Sequence, residues 1–302
     1  MEKGITSIFF LISLISKIFN IKACIKSQII ILTTGTPIDE HLNPDIKLVT
    51  NLINNLVPYF KDNQTLILRS TLFPGTTAKI CKILKSKKLR MQTCFCPERI
   101  SQGNGVDELS NLPQIISGNT KKAVNISRKL FSRFTKEIYE LSFEEAEITK
   151  LFSNAWRYIK FSIANQFYSI CIEKNMDFQK IRNVMMKNYP RAQDFPNSGF
   201  SAGPCLFKDT MQLASYSRDN FSLGHASMII NETLPNLLVN KLKMQKKISN
   251  TNIGILGMAF KPNNDDSRES LAFKMKKILE HEESNVLCSD LFIRDRLFVT
   301  PK

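Results

Sequence analysis

Short apolar runs alternate with helical patterns along the first third of the chain. Apolar runs bounded by turn residues lie at 27–33 (SQIIILT), at Gln64–Arg69 and at Arg90–Cys96. Between them, Pro44–Phe60 carries apolar residues at helical spacing, and a lysine-rich segment runs to about Lys88. Strands that alternate with helices in this way predict βαβ units around a parallel sheet. The fold class indicated is therefore α/β.

The pattern becomes almost wholly helical near Leu141. Helical spacing covers Ser142 to about Met186, and Glu145, three residues after Ser142, predicts a capping box at its start. A loop rich in Pro, Asn, Ser and Gly follows at 188–204, and helical spacing resumes at 209–247. The remaining segments predict a new βαβ start, with a strand and turn at 251–261, a helix at 269–281 and a strand at 285–290.

The amino-terminal lead is apolar but short. Residues 5–15, ITSIFFLISLI, are followed at once by Lys17 and Lys22, so the run is too short to span a bilayer, and it shows no small-residue cleavage site. We expect a helix or strand whose partners are missing. A weak membrane anchor is the alternative.

Composition narrows the class of protein. Lys and Arg total 42 against 27 acidic residues, a formal charge of +15, but the basic residues are spread along the chain without a basic tail. This distribution argues against a dedicated nucleic-acid-binding role. The 7 cysteines are scattered without the spacing of a disulfide framework or a zinc site, which predicts a reducing compartment and no metal.

One cysteine opens a predicted helix in GPCLFKDT (203–210). Cys205 follows a glycine-containing loop, and Lys208 and Asp209 lie in the next turn. A helix amino-terminus and a nearby ammonium both favour the thiolate, which is the nucleophilic form of cysteine. A buried, inert cysteine at a loop-to-helix junction is the alternative.

Other polar groups lie at positions suited to ligands. Lys150 and Asn154 are four residues apart and share one face of a mainly apolar helix, where they could bind an oxyanion or a water. Solvent exposure of this pair is the alternative. The segments 70–77 (STLFPGTT) and 97–103 (PERISQG) place hydroxyls and a carboxylate just after predicted strands, where open α/β sheets bind ligands.

Six segments occur in the order and at the separations of one known family. They are TTGTPIDE, STLFPGTT, PER, EAEITKLFSNAWR, GPCLFKDT and GILGMAFKPNNDDSRES, between about Ser27 and Asp290. The chain thereby resembles the UDP-glucose/GDP-mannose dehydrogenase family of nucleotide-sugar dehydrogenases. The resemblance implies an atypical lead at 1–26, a truncated NAD-binding Rossmann-like domain at 27–140, an all-helical middle (dimerisation) domain at 141–248 and a truncated second Rossmann-like domain, binding the UDP-sugar, at 249–302.

The resemblance also implies an activity and its residues. Family members oxidise the 6-hydroxyl of a UDP-sugar to a carboxylate with NAD. Cys205 matches the nucleophile that forms a thiohemiacetal and then a thioester, and Lys150 and Asn154 match the pair that stabilises oxyanion charge. The other matched catalytic residues are Asp209 and Thr71, at the hydrolytic water, and Glu98, on the loop over the sugar.

Cofactor, substrate and partner assignments follow from the same resemblance. Thr36, Lys208 and Arg268 match positions near NAD, and Lys261 and Arg191 match substrate-binding positions. The PER loop favours an N-acetylhexosamine over glucose. The resemblance implies a cytoplasmic homodimer that serves polysaccharide synthesis, with no membrane or nucleic-acid partner.

A glycine turn expected of such a family is missing from the sequence. A member should begin with a strand and a G-x-G-x-x-G turn, whose helix amino-terminus receives the NAD pyrophosphate. None of the 11 glycines has that spacing. Three hypotheses therefore stay open: an active dehydrogenase completed by a separate chain or by a start upstream of Met1, an inactive remnant that retains the dimer and nucleotide-sugar binding, and a basic nucleic-acid-binding protein.

Overall fold

The chain folds into two compact units, residues 1–153 and 154–302. The computed structural model describes residues 8–13, 21–39, 41–101, 105–218, 220–293, 295 and 298. No helix within these ranges is long and apolar enough to cross a membrane. The predicted domain boundaries near residues 26, 140 and 248 stay predictions.

A sheet forms the centre of the first unit, and its six described strands lie side by side in chain order. The strands are β1 Ile8–Ser13, β2 Ile29–Thr34, β3 Thr65–Leu68, β4 Gln92–Phe95, β5 Gln114–Gly118 and β6 Ile138–Glu140. The described helices of this unit are α1 Ile21–Lys26, α2 Ile46–Leu56, α3 Thr76–Ser86, α4 Gly105–Asn111 and α5 Lys121–Phe131. Neighbouring strands are parallel except β4 and β5, which pair antiparallel. The predicted parallel βαβ arrangement is confirmed for β2, β3 and β4.

Burial explains why β2 is a continuous apolar run. Ile30 and Leu32 belong to the core that includes α2 and α3, whereas Ile29 and Ile31 belong to the core on the opposite face with α5. Successive side chains of a strand point to opposite faces, so a strand covered on both faces carries apolar residues at every position.

The strand β1 corrects the expectation for the amino-terminal lead. Its six residues pair in parallel with β2, from Ile8 beside Ile29 to Ser13 beside Thr34. The expectation of a helix or strand without partners is therefore wrong for β1. Without β1, the backbone groups of β2 on that side would form an unpaired edge. The rest of the apolar run, at 5–7 and 14–15, lies outside the described residues.

A long helix, α6 Phe143–Glu173, begins in the first unit and ends in the second. Its predicted capping box is confirmed, because the Glu145 N–H donates to Ser142 Oγ at 3.3 Å and the Ser142 N–H donates to the Glu145 carboxylate at 2.9 Å. The elements that follow are α7 Phe178–Met186, α8 Leu206–Tyr216, α9 Ser222–Gln245, β7 Asn252–Leu256, α10 Leu271–His281 and β8 Asn285–Ser289.

The second unit matches the predicted pattern with one change. The strands β7 and β8 pair in parallel, as the βαβ prediction requires. Helix α8 begins at Leu206 rather than near Asp209, because the Cys205 carbonyl already accepts the Asp209 N–H at 2.9 Å. The helical spacing at 209–247 therefore started three residues too late, whereas the prediction that Cys205 opens a helix is confirmed.

Candidate active site

Three predicted site residues of the second unit meet around the Asp209 carboxylate in the first turn of α8. Asp209 is fully buried. Its carboxylate oxygens accept one hydrogen bond from Asn154 Nδ2 at 2.5 Å and one from Lys208 Nζ at 2.5 Å. A buried charge is stable only when it is paired and hydrogen-bonded, and Asp209 meets both conditions. The carboxylate thereby fixes the orientation of the Asn154 amide.

Cys205 is the N-cap residue of the same helix, and it is exposed. The amino-terminus of a helix carries a partial positive charge that stabilises an anion such as a thiolate. The structure therefore places the predicted nucleophile one helical turn before the buried Asp209, at a position that suits nucleophilic chemistry.

The loop before Cys205 has a backbone that requires glycine. Gly203 has φ +98°, and a Cβ added there would lie 2.5 Å from the ring of Phe260. The Gly203 N–H donates to the Glu269 carbonyl at 3.3 Å. The cysteine loop is thus packed against the segment that follows β7.

Arg268, predicted to contact the cofactor, lies in that segment. Its guanidinium binds the Asp266 carboxylate at 2.6 Å, and this hydrogen bond is the main cause that raises the pKa of Arg268. The charge of Cys205 also raises this pKa, to a smaller extent. The guanidinium therefore lies within electrostatic range of the thiol.

The two predicted substrate-binding residues occupy separate loops. Lys261 is half-buried in the turn after β7. The Asp290 carboxylate holds this turn by accepting the N–H groups of Met258 at 2.7 Å and Ala259 at 3.0 Å. Arg191 is exposed in a short 3-10 helix, where its guanidinium stacks on Tyr189 at 4.4 Å from the ring centroid. This contact of Arg191 is local.

In the first unit, two predicted residues meet at the carboxyl ends of neighbouring strands. Thr36 follows β2 and Thr71 follows β3, and the Thr36 hydroxyl donates to the Thr71 carbonyl at 2.7 Å. This edge of a parallel sheet is where open α/β folds bind ligands. The hydrogen bond brings these two loops together, and their role as a site stays a prediction.

Glu98, which follows β4, forms an ion pair that the sequence reasoning missed. Its partner is Arg69, a buried residue at the end of β3 whose guanidinium also donates to the Cys96 carbonyl at 3.2 Å and to Gln114 Oε1 at 3.1 Å. The Glu98 carboxylate also accepts the backbone N–H of Ile100 at 3.0 Å. The structure therefore fixes Glu98 against a buried cation. The signal that could have revealed this pair was the arginine directly after an apolar strand.

Glu147, on α6, is a second residue that the sequence reasoning missed. It is fully buried, and its carboxylate accepts from the Gly75 N–H at 2.7 Å, the Thr77 N–H at 2.8 Å and the Thr77 hydroxyl at 2.6 Å. Burial raises the pKa of Glu147. Lys150, predicted to stabilise an oxyanion, is half-buried three residues later on the same helix. Asn154 lies one turn beyond Lys150.

The fold and these groups define an α/β protein with a candidate ligand site: polar residues stand at the carboxyl ends of parallel strands, and a cysteine opens a helix beside a buried carboxylate. Comparison with known proteins identifies the family. Residues 16–135 match the NAD binding domain of the UDP-glucose/GDP-mannose dehydrogenase family, and residues 144–233 match its central domain. The chain belongs to this family.

Several relatives are similar over most of the chain. A UDP-N-acetyl-D-mannosamine dehydrogenase of Methanocaldococcus jannaschii is 28% identical over 277 residues, which are 90% of this chain and 64% of the relative. A UDP-glucose 6-dehydrogenase of Bacillus subtilis is 25% identical over 82% of this chain and 59% of its own length. The solved structure of the UDP-D-ManNAc dehydrogenase of Pyrococcus horikoshii superimposes with a TM-score of 0.83 at 27% identity, over 91% of this chain and 68% of that one. The chain spans less than two thirds of the first two relatives.

The family's cofactor is NAD, and the described residues supply only part of a site for it. The pyrophosphate of a dinucleotide binds at a helix amino-terminus that follows a glycine-rich turn. Residues 14–20, which follow β1, contain no glycine. The amino-terminus of α3 does follow a glycine turn, but the Glu147 carboxylate occupies it. Neither segment therefore offers a glycine turn followed by an open helix terminus for the pyrophosphate.

Proposed function

We propose that this chain acts on a nucleotide sugar as the UDP-sugar 6-dehydrogenases do, with Cys205 as the nucleophile at carbon 6. The observation that carries the proposal is the buried group of Asn154, Lys208 and Asp209 at the first turn of the helix that Cys205 opens. The family resemblance assigns Asn154 and Asp209 to the catalytic residues and Lys208 to a position near the cofactor.

The chemistry that this chain's own residues supply is addition of a thiol to an aldehyde. The Cys205 sulfur bonds to carbon 6 of the sugar aldehyde, the carbonyl π bond breaks, and the thiol proton passes to the new hydroxyl oxygen, which gives a thiohemiacetal. Lys150 and Asn154 stabilise negative charge on that oxygen as it develops. A preorganised donor of this kind is worth about 10²- to 10³-fold in rate. Asp209 contributes by holding the Asn154 amide.

For the substrate we infer a UDP-N-acetylhexosamine. The relatives named UDP-N-acetyl-D-mannosamine dehydrogenase from Methanocaldococcus jannaschii and Pyrococcus horikoshii are each 28% identical to this chain, and the Bacillus subtilis UDP-glucose 6-dehydrogenase is 25% identical. The PER sequence at 97–99 favours the same choice. The product, a UDP-uronic acid, would feed polysaccharide synthesis.

We also infer a homodimer that forms along α6. Five large apolar side chains of this helix are exposed at helical spacing: Phe152, Trp156, Ile163, Phe167 and Ile170. Exposed apolar patches of this kind mark protein interfaces. We infer a cytoplasmic location, because the 7 cysteines lack the spacing of a disulfide framework.

A second candidate function is a nucleotide-sugar-binding dimer without dehydrogenase activity. The occupied amino-terminus of α3 and the glycine-free segment 14–20 favour it, because neither offers the glycine turn and open helix terminus that a pyrophosphate uses. This candidate retains the Cys205 loop and the α6 surface, but it does not turn over NAD.

The test is NADH formation, followed by absorbance, with the purified chain, NAD and a panel of UDP-sugars. The dehydrogenase would be supported if absorbance rises with a UDP-N-acetylhexosamine and the Cys205→Ala variant shows no such rise. If UDP-sugars bind in calorimetry but no NADH forms, the binding-module candidate is correct. If no UDP-sugar binds to the folded protein, both candidates fail.

A further inference from the structure

Helix α3 cannot cap its own amino-terminus. The first N–H groups of a helix lack intrahelical partners, and an N-cap side chain normally accepts one of them. The N-cap residue here is Gly75, in the left-handed conformation, which has no side chain to accept a hydrogen bond. The acceptor comes instead from Glu147, which is 72 residues away in the sequence and bonds both Gly75 and Thr77.

The same carboxylate joins two parts of the candidate site in the first unit. On one side it holds the end of the loop 70–75. This loop contains Thr71, whose carbonyl accepts a hydrogen bond from the Thr36 hydroxyl. On the other side it belongs to α6, where Lys150 follows three residues later on nearly the same face. The three hydrogen bonds of the Glu147 carboxylate all go to the start of α3, so its position sets where this turn of α6 lies against the loop.

We propose that Glu147 is a positioning residue that fixes Lys150 relative to the loop of Thr71. This inference rests on the proposed function only for the role of Lys150, because the contacts themselves require no substrate. A carboxylate suits the task because its two oxygens accept three hydrogen bonds, whereas an amide has one oxygen to offer.

The variant that tests the inference is Glu147→Gln, which keeps the volume of the side chain but places an NH₂ group against one of the α3 donors. Thr77→Val removes only the hydroxyl bond, and it provides a milder perturbation if Glu147→Gln fails to fold. Glu144→Gln is the matched control, because it makes the same change at an exposed position in the same helical turn.

Two measurements report on the contact and on its consequence, and neither needs turnover. Hydrogen exchange at the Thr77 amide should accelerate about tenfold in Glu147→Gln, which corresponds to the loss of a helix cap. Acylation of Lys150 by acetic anhydride, measured by peptide mass spectrometry against the exposed Lys180, should change about threefold or more, as expected for coupled neighbours. Thr77→Val should show smaller changes in the same directions, and Glu144→Gln none.

The possible outcomes separate the inference from the proposed function. If the Thr77 amide loses protection while the labelling of Lys150 matches the wild type, Glu147 is a helix cap and nothing more. Unchanged protection of the Thr77 amide would show that the contact itself is absent. Because labelling does not depend on catalysis, a chain that forms no NADH with any UDP-sugar can still confirm or overturn the role of Glu147.

Discussion

The buried group at α8 gives the sharpest test of the site geometry. We predict that Asp209→Asn destabilises the fold far more than the same substitution at an exposed ion pair. Asp209 is fully buried and Lys208 is 15% exposed, with 2.5 Å between Nζ and Oδ1. An asparagine side chain at this position would keep the shape of the aspartate but remove the charge that balances the Lys208 ammonium.

The expected loss follows from what remains buried after the change. Removing one partner of a buried ion pair costs about 3 to 5 kcal/mol, because the other charge is left uncompensated. The amide oxygen that the substitution introduces can still accept one hydrogen bond, which recovers about 1 kcal/mol. We therefore expect a loss of about 2 to 4 kcal/mol in the free energy of unfolding.

Asp194→Asn is the matched control. Asp194 pairs with Lys160 at 2.6 Å, nearly the same distance, but its side chain is 75% exposed. An exposed pair contributes little, so this variant should unfold close to the wild type. The assay is urea unfolding followed by circular dichroism at neutral pH.

Equal losses of unfolding free energy in Asp209→Asn and Asp194→Asn would refute the reasoning, since burial would then have no effect on how much an ion pair stabilises the fold. A double variant adds a second check. Lys208→Met in the Asp209→Asn background removes the ammonium that has lost its carboxylate, so it should recover part of the lost stability.

Three further predictions concern the same unit and the start of α6. Gly203→Ala should cost about 2 to 4 kcal/mol in unfolding free energy, because it adds a left-handed backbone strain to a clash with Phe260. A thiol-reactive disulfide reagent should label one cysteine rapidly in the folded protein, and Cys205→Ala should remove that phase; a second fast thiol would contradict the full or partial burial of the others. Hydrogen bonds from Ser142 lower the pKa of Glu145 from its ordinary value of 4.5, so the capping box should stabilise the protein above that pH and be lost as the pH falls through the lowered pKa. The urea midpoints of the wild type and of Ser142→Ala should therefore converge as the pH falls from neutral to acidic.

Two buried cysteines show why the thiol prediction is selective. Burial raises the pKa of Cys94 to about 12 and that of Cys96 to about 11, so neither forms the reactive thiolate at neutral pH. Both residues are fully buried in the core.

The strands and helices that bury a clear apolar pattern could be predicted from the sequence. The patterns found β2, β3, β4, β7, β8, the start of α6 and the loop before Cys205. They did not find the pairing of β1, because Ile8–Ser13 lies within a longer apolar run that was expected to form a helix or strand without partners, with a weak membrane anchor as the alternative. Nor did they resolve residues 105–140, where the strand β6 is three residues long and mostly exposed. So short a strand forms because it pairs with its neighbour, and a pattern of apolar residues does not reveal that pairing.

The candidate site was predictable where its residues are close in the sequence. Cys205, Lys208 and Asp209 share one turn, so a local pattern revealed them. Arg69 with Glu98 and Glu147 with Thr77 were missed because each pair joins distant segments, 29 and 70 residues apart. The fold brings these segments together at the carboxyl ends of the strands, and a one-dimensional pattern does not record which ends are neighbours.

Several helix termini of the first unit are capped by side chains of the protein itself. A carboxyl or hydroxyl oxygen of the protein already caps three helices: Asp45 accepts from Leu48 in α2, Glu147 from Thr77 in α3, and Thr120 from Ala123 in α5. A helix terminus that is capped by a protein oxygen has lost N–H groups that would otherwise bind a phosphate.

Pyrophosphate binding must therefore use groups other than these three termini. The segment 14–20, between β1 and α1, lies at the position in the chain where a glycine turn would be expected, and it lacks glycine. The α3 terminus needs no ligand to be stable, because the Glu147 carboxylate takes the place that a phosphate could occupy. If Glu147→Gln created saturable binding of inorganic phosphate that the wild type lacks, the carboxylate would be shown to act as the resident anion. If neither protein bound phosphate, the terminus would be closed by packing as well as by charge.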